Sequence, residues 1–441
     1  MAYLTPSAAA LKLDGALMIA QLEQLGDVGL DAASGGRTRI ALTDAERAGR
    51  DLLQSWMREL DLLVTIDRIG NLVGTLPTAA GAVVTPLMIG SHIDSVRNSG
   101  ALDGCYGVLA GLAVARAFRR AGLSPPRPIA VAAFTNEEGV RYQPDMMGSL
   151  VLAGGLGLEA ALNTVGIDGT RLGDELGRIG YAGEVDPTAV RPHEYLELHI
   201  EQGPILDSER IQIGVVETLQ GISWQRIVVH GNANHAGTTP LPLRHDAGYA
   251  AAAIVTFIRE AIAAPSAGTT LATTGCLRLE PDVINVIPRR ATLTVDLRDP
   301  DNDRLERAEQ KLATFLAALA GREGVRIEAE RLARFDPVVF DRALTDVIEA
   351  SARKLGLTHR RMTSGAGHDA QMIARIAPAA MIFVPSHQGI SHNPREHTDA
   401  ADLINGAEVL LEVVLQRLGL ARERPRLRRI ARRTNSSDHP C

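Results

Sequence analysis

The sequence predicts an α/β catalytic domain interrupted by a smaller ferredoxin-like α+β domain, and three observations predict it. From about residue 83 to 135, short apolar runs alternate with a well-patterned helix, and polar residues suited to chemistry stand at the carboxyl ends of those runs. Between about 217 and 334 the order changes to strand, helix, two strands, helix, strand, which suits a small antiparallel sheet with two helices. From about Phe335 the first pattern resumes. At 441 residues and 45% hydrophobic, the chain exceeds one ordinary core. The predicted division is therefore 1–216, 217–334 and 335–441, with the first and third parts forming one domain.

Each element has a local reason. Residues 9–27 carry apolar positions at helical spacing, and Thr43-Asp44-Ala45-Glu46 opens a second helix to about Leu63, with Thr43 as N-cap and Glu46 in capping-box position. Thr65 to Gly74 reads as strand, turn, strand. Val83 to Ile89 is a short bounded apolar run, the signature of a buried strand, and it delivers Gly90-Ser91-His92-Ile93-Asp94 to its end. An Ala-rich helix from Gly107 to Ala121 stops at Gly122 and Pro125-Pro126. Ile129 to Thr135 is another buried strand, ending at Asn136-Glu137-Glu138-Gly139.

Beyond Val216, a strand at 224–231 precedes a helix from about 246 to 261. Strands at 269–279 and 290–298, a helix at 301–321 and a strand at 325–329 complete the insert. A helix to about Leu355, a strand at 379–385 and a helix at 401–418 close the catalytic part. The Arg-rich end, Arg422 to Arg433 followed by Asn435-Ser436-Ser437, reads as a solvated or frayed tail, with membrane or nucleic-acid contact the lesser alternative.

Composition excludes several classes. The net charge of -6 gives no electrostatic case for nucleic acid or an anionic membrane. No stretch of ~18 uninterrupted apolar residues occurs, and Lys12, Asp14 and Glu23 break every amino-terminal run, so a membrane span and a signal-peptide core are not expected. Cys105, Cys276 and Cys441 are too few for a disulfide framework or a thiolate metal site, which fits a reduced, cytoplasmic setting.

The chemistry is carried by five candidate metal ligands in separate segments: His92, Asp103, Glu138, His199 and His392. Imidazole nitrogen with carboxylate oxygen suits zinc, manganese, cobalt or nickel. A carboxylate such as Asp103 can bridge two ions about 3.5–4 Å apart. Asp94, two residues past His92, is placed to accept the imidazole's second N–H. Glu137 beside Glu138 invites a division of labour, one carboxylate on the metal and one free as general base. Taken alone, a Glu-Glu pair is a solvated loop; beside Gly90 to Asp94 and Asp103-Gly104 it is not.

These motifs resemble the M20 metallopeptidase-type superfamily. They are Gly90 to Asp94, Leu102-Asp103-Gly104 followed by Gly107 to Gly111, and Thr135 to Gly139. Glu197 to Pro204, Asn234 to Pro240, Ser364 to Ala370 and Ser386 to His392 narrow the resemblance. They point to the branch containing N-carbamoyl-L-amino acid hydrolases, allantoate amidohydrolases and β-ureidopropionases.

The resemblance implies a metallopeptidase-like catalytic domain with two divalent metal ions per subunit. His92, Asp103 and His199 would hold one, and Asp103, Glu138 and His392 the other, with Glu137 as base. His199 stands where peptidase relatives place a carboxylate, which favours an amidase. The insert would be a lid and dimer interface, making a homodimer the expected assembly, with site residues supplied in part by the partner. His235 would stabilise the oxyanion, and Asn285 and Arg298 would hold a substrate carboxylate. Gln202 and the Gly365-Ala366-Gly367-His368 loop, with Gly367 and His368, are further substrate-binding candidates; His230, His245, His387 and His397 stay unassigned. The expected partner is a small carboxylate-bearing ureido substrate, an N-carbamoyl-L-amino acid foremost and allantoate as the alternative. A dipeptidase, an aminoacylase or an inactive metal-binding scaffold fits the residues less well.

Overall fold

The computed structural model of the chain describes residues 11–79, 84–264 and 268–420. The start of the first predicted helix, the Val83 end of the predicted site strand and the Arg-rich end from Arg422 lie outside them. Helix α1 (Gly15–Gly26) is capped by Asp14, and α2 (Asp44–Glu59) by Thr43, whose hydroxyl accepts the Glu46 N–H. Glu46 reaches one residue further back than a capping box requires, accepting the Leu42 N–H at 3.0 Å. Strands β1 (Leu63–Ile66) and β2 (Leu72–Leu76) form an antiparallel hairpin. Then come β3 (Leu87–His92), α3 (Cys105–Arg120) and β4 (Ile129–Phe134). The predicted site strand is set too early. Pro86 has no N–H to donate to a ladder, so pairing starts at Leu87 and continues to His92 itself.

Short helices α4 (Met147–Leu152), α5 (Leu158–Leu162) and α6 (Leu172–Ile179) lead to β5 (Glu194–Ile200), α7 (Ile205–Glu209) and β6 (Ile213–Leu219). Residues 221–335 build a separate four-stranded sheet. Its elements are β7 (Gly221–His230), β8 (Asn234–His235), α8 (Ala247–Phe257), β9 (Leu271–Glu280), β10 (Val286–Ile287), β11 (Arg290–Asp299), α9 (Asn302–Glu323) and β12 (Arg326–Phe335). The antiparallel order β12-β7-β11-β9 with two helices on one face is that of a ferredoxin-like unit, and β8 pairs β10 as a small outlying ribbon. The unit has its own core, in which Ile227, Val229, Leu293 and Val295 meet Ile254, Leu312 and Leu316.

The chain then returns through β13 (Val338–Val339), α10 (Arg342–Leu355), β14 (His359–Ser364), α11 (Asp369–Ile373), β15 (Ala379–Val384) and α12 (Ala400–Arg417). The helix expected from about Phe335 begins only at Arg342, where Asp341 accepts the Leu344 N–H. The residues before it pair with β6 instead. All but the ferredoxin-like strands and the ribbon join one mixed sheet, ordered β1-β2-β4-β3-β5-β15-β6-β13, with β14 also on β6.

Register in this sheet decides what meets at its carboxyl edge. β3 pairs parallel with β5, Leu87 with Glu194 and Ile89 with Leu196, and the same offset carried forward sets His92 level with His199. On the outer sides, His92 pairs with Phe134 and His199 with Phe383. Odd residues of β3 and β4 pack toward α3 and α12, while Met88, Ala130, Ala132 and Phe134 pack on the opposite face. Helix α3 lies close against the sheet because Gly107 carries no side chain; a Cβ there would sit 2.4 Å from the Leu198 carbonyl oxygen.

Replacing Gly107 by Ala therefore tests the packing. Helix propensity alone would stabilise by about 1 kcal/mol. Contact with an unyielding backbone atom costs about 1–3 kcal/mol and should dominate, lowering the urea midpoint. A raised midpoint would show that α3 is free to move off the sheet.

Candidate metal centre

His92 is the last residue of β3, and its Nδ1 lies 3.0 Å from the Asp94 carbonyl oxygen. His199, near the end of β5, has Nδ1 2.9 Å from the Ile200 carbonyl. Each ring thus donates Nδ1–H to backbone and presents Nε2 as a lone pair, the tautomer that a metal ligand requires. Both Nε2 atoms face Asp103 Oδ1, at 3.6 Å from His92 and 3.2 Å from His199. The other oxygen, Oδ2, lies 3.0 Å from His392 Nε2 and accepts the Gln202 amide N–H at 2.8 Å.

Asp103 is held in place by its neighbours. The half-buried Glu396 side chain accepts the Leu102 and Asp103 N–H groups at 2.9 and 3.3 Å. Gly104 has φ +65°, and a Cβ on it would sit 2.4 Å from His92 Nε2, so a side chain here would collide with the ring.

The two glutamates follow β4. Asp94 binds their backbone, accepting the Glu137 and Glu138 N–H groups at 3.2 and 3.3 Å on its two oxygens. This corrects the expectation for Asp94, whose carboxylate is 3.7 Å from His92 Nδ1 while its own carbonyl takes that N–H. Met146, Met147 and Gly148 donate N–H groups to the Glu137, Asn136 and Thr135 carbonyls, and the buried Arg50 reaches the Thr135 hydroxyl. The Glu137 carboxylate is then 3.4 Å from His92 Nε2, and that of Glu138 3.6 Å from His392 Nε2.

Two trios of donor atoms result, each within 4.8 Å of one another: His92, Asp103 and His199, and Asp103, Glu138 and His392. Asp103 belongs to both and Glu137 to neither. Among the described residues, the ion-pair partners of Asp103, Glu137 and Glu138 are all histidines. Burial drives the Glu137 carboxyl well above its ordinary range, with Asp369, Glu138 and Asp94 adding to it against the pull of His92. Burial, then the Asp103 charge, raises Glu138 to about 8. The Asp103 hydrogen bond raises His392 to about 9. Nitrogen and oxygen donors converging on carboxylates that lack a fixed cation fit a divalent metal centre, since a bound cation inverts such shifts. A third cluster, Glu197, His199 and His368, fits one less well. Glu197 already accepts from Ser91, Tyr195 and the Ala370 N–H, and the His368 Nε2 is engaged by Ser364.

The centre opens into a cavity of about 220 Å³. Gln202, Gly367, His368 and Arg298 line it. Burial holds His368 well below its ordinary value, with its ring edge-on to His199 at 4.5 Å between centroids. The Arg298 guanidinium is partly engaged, by Asp296 at 2.9–3.1 Å and by the Gly365 carbonyl at 2.6 Å. His235 and Asn285 are exposed, are near one another on the β8–β10 ribbon, and are not among the cavity's lining residues. The cavity also contains Asp145, Ile222 and Trp224, which sequence reasoning passed over. Asp145 follows the Glu-Glu motif by seven residues, the one signal that could have flagged it. Glu396 stands four residues after His392, just past the Ser386 to His392 motif.

The family model "Peptidase family M20/M25/M40" matches residues 88–416. An N-carbamoyl-L-amino-acid amidohydrolase of Rhizobium meliloti is 38% identical over 395 residues, covering 90% of this chain and 94% of its own. A ureidoglycolate hydrolase of Arabidopsis thaliana is 33% identical over 426 residues, covering 94% and 88%. Among solved structures, an amidase of the hydantoinase/carbamoylase family from Burkholderia multivorans superposes with a TM-score of 0.88 at 40% identity, covering 92% of this chain and 98% of its own. Matches of this extent, on a chain whose strand ends gather these donors, place it in one family: it belongs to peptidase family M20/M25/M40 and is related over about nine-tenths of its length to amidohydrolases.

Proposed function

We propose that this chain hydrolyses the ureido C–N bond of N-carbamoyl-L-amino acids, using two divalent cations. His92, Asp103 and His199 would hold one, and Asp103, Glu138 and His392 the other. Zinc suits the donors, and manganese, cobalt or nickel are compatible. The observation that carries the reading is Glu137: it sits 3.4 Å from His92 Nε2 yet belongs to neither donor trio. A carboxylate in that position is free to move protons.

Bound cations would acidify the attacking water and polarise the scissile carbonyl. Glu137 accepts the water's proton as the C–O bond forms and delivers it to the leaving nitrogen as the C–N bond breaks. The products are the free amino acid and a carbamate, which decomposes to carbon dioxide and ammonia. Asp94 and Gly104 act as positioning residues, the first through the glutamate backbone and the second by leaving room for His92.

Arg298 would grip the substrate carboxylate through the part of its guanidinium not taken by Asp296, with Gln202, Gly367 and His368 on the cavity walls. His235 Nδ1 accepts the Gly237 and Thr238 N–H groups at 3.0 and 3.2 Å, so Nε2 carries the proton and can donate to an oxyanion. In this proposal the 217–334 unit is a lid and dimer interface, and His235 and Asn285 serve the site of a partner subunit. The relative named ureidoglycolate hydrolase supports a second reading, a ureido acid of purine-ureide type such as ureidoglycolate or allantoate.

A hydrolysis screen over N-carbamoyl-L-amino acids, N-carbamoyl-β-alanine, ureidoglycolate and allantoate, read by ammonia release, should give turnover that a chelator abolishes and divalent metal restores. Chelator-resistant activity would remove the metal from the reading. Glu137→Gln should keep the metal-to-protein ratio and lose roughly 10²–10⁴-fold in kcat. Retained turnover would exclude Glu137 as base. Arg298→Ala should raise KM for carboxylate substrates and spare their uncharged amides; equal effects on both would end the carboxylate-grip idea.

A further inference from the structure

One charged group in the cavity, Asp145, is used neither by the donor trios nor by the proposed chemistry. Its backbone is fixed, because the next three residues donate N–H groups to the Glu137, Asn136 and Thr135 carbonyls at 2.7, 3.2 and 2.8 Å. It also packs directly on Gly139, where a Cβ would come within 2.8 Å of the Asp145 Cα. The residue is therefore fastened to the same strand end as Glu137. Among the described residues no other side chain hydrogen-bonds to its carboxylate or pairs with it, and it is half-buried. Burial raises the carboxyl to about 6, still below neutral pH, so the charge is present to be read.

Asp145 and Arg298 line the same cavity, and Arg298 is the charge that draws the Asp145 carboxyl down against its burial. Arg298 is already paired with Asp296. Part of the Arg298 charge is thus taken by Asp296, and among the described residues no cationic side chain is bonded to Asp145. Ile222 and Trp224 line the same cavity and offer apolar surface for a methylene stem and an aromatic face for a cation.

Resting on the ureido-hydrolase reading above, we propose that Asp145 is a specificity-determining residue. It selects ureido acids whose side chain ends in a cation and rejects those ending in a carboxylate, with the stem lying on Trp224 and Ile222. A desolvated carboxylate without a partner favours a ligand that supplies the missing donor and opposes one that brings a like charge.

The test is kcat/KM for N-carbamoyl-L-lysine, N-carbamoyl-L-norleucine and N-carbamoyl-L-glutamate, measured on the metal-loaded wild-type chain, Asp145→Asn and Asp145→Ser. Two variants are used so that a folding defect in one leaves the other as the measure. Wild type should rank lysine above norleucine above glutamate, and each folded variant should shrink the lysine-to-glutamate ratio by about tenfold or more. Turnover with an unchanged ratio, or a wild-type preference for glutamate, overturns the proposal while leaving the ureido reading intact. No turnover of any of the three by wild type overturns both, so the two failures are told apart.

Discussion

Four carboxylates, those of Asp94, Asp103, Glu137 and Glu138, are gathered at one sheet edge with histidines as their only ionic partners among the described residues, and the surrounding structure is shaped by the need to keep them there. Taking a carboxylate out of water costs several kcal/mol unless hydrogen bonds or an opposite charge offset it. Asp94 is offset by two peptide N–H groups, and Asp103 by the His392 imidazole and the Gln202 amide. Glu137 has much less, its nearest ionic partner being a histidine 3.4 Å away. The pocket therefore has a standing demand for positive charge, which the two donor trios are arranged to meet.

That demand explains why so many site residues have unusual backbones. Gly104, Asn136, Gln202 and His392 all have φ between 53° and 65°. For the three non-glycine residues this region costs of order 1 kcal/mol or more each. Each stands at a corner where the chain turns sharply off the sheet edge or back over it. The sheet beneath supplies the rigidity: β3, β4, β5 and β15 are buried on both faces, so their ends are well-fixed points from which strained loops can be hung.

Much of this was legible before any coordinates. The Ala-rich α3, the fully apolar β4 and β15 and the capped α2 each announce themselves through local periodicity; the structure has the first three close to their predicted bounds, and α2 starts as predicted but stops at Glu59, a turn before Leu63 opens β1. The strand β5 was quoted as a motif without being recognised as a strand. Its Glu194, Glu197 and His199 break the apolar run, and each has a partner far along the chain, Arg417, Ser91 and Asp103 respectively. β14 escaped for a similar reason: it is His-Arg-Arg-Met-Thr-Ser, and its Arg361 is stabilised by Glu217, Asp346 and Glu349. The carboxylate of Asp94 was assigned to the wrong donor because sequence distance suggested His92, whereas the fold offers it two peptide groups 43 and 44 residues away.

The way the cavity is divided carries a consequence for how such a site can diverge. Every donor-trio residue and Glu137 hang from the large sheet, whereas Arg298, Ile222 and Trp224 come from β11 and β7 of the ferredoxin-like unit. A change on β7 or β11 alters what the cavity wall offers a substrate and leaves the distances among His92, Asp103, His199 and Glu138 under the control of another sheet. Asp145, like Gln202, Gly367 and His368, is a wall residue of the large-sheet part, and it is bonded through its neighbours to the strand end that carries Glu137. It therefore keeps its distance from the chemistry even if the two sheets move relative to one another, while the separation of Arg298 from Glu137 does not. Discrimination that must persist through such motion is better placed on Asp145 than on any residue of β7 or β11.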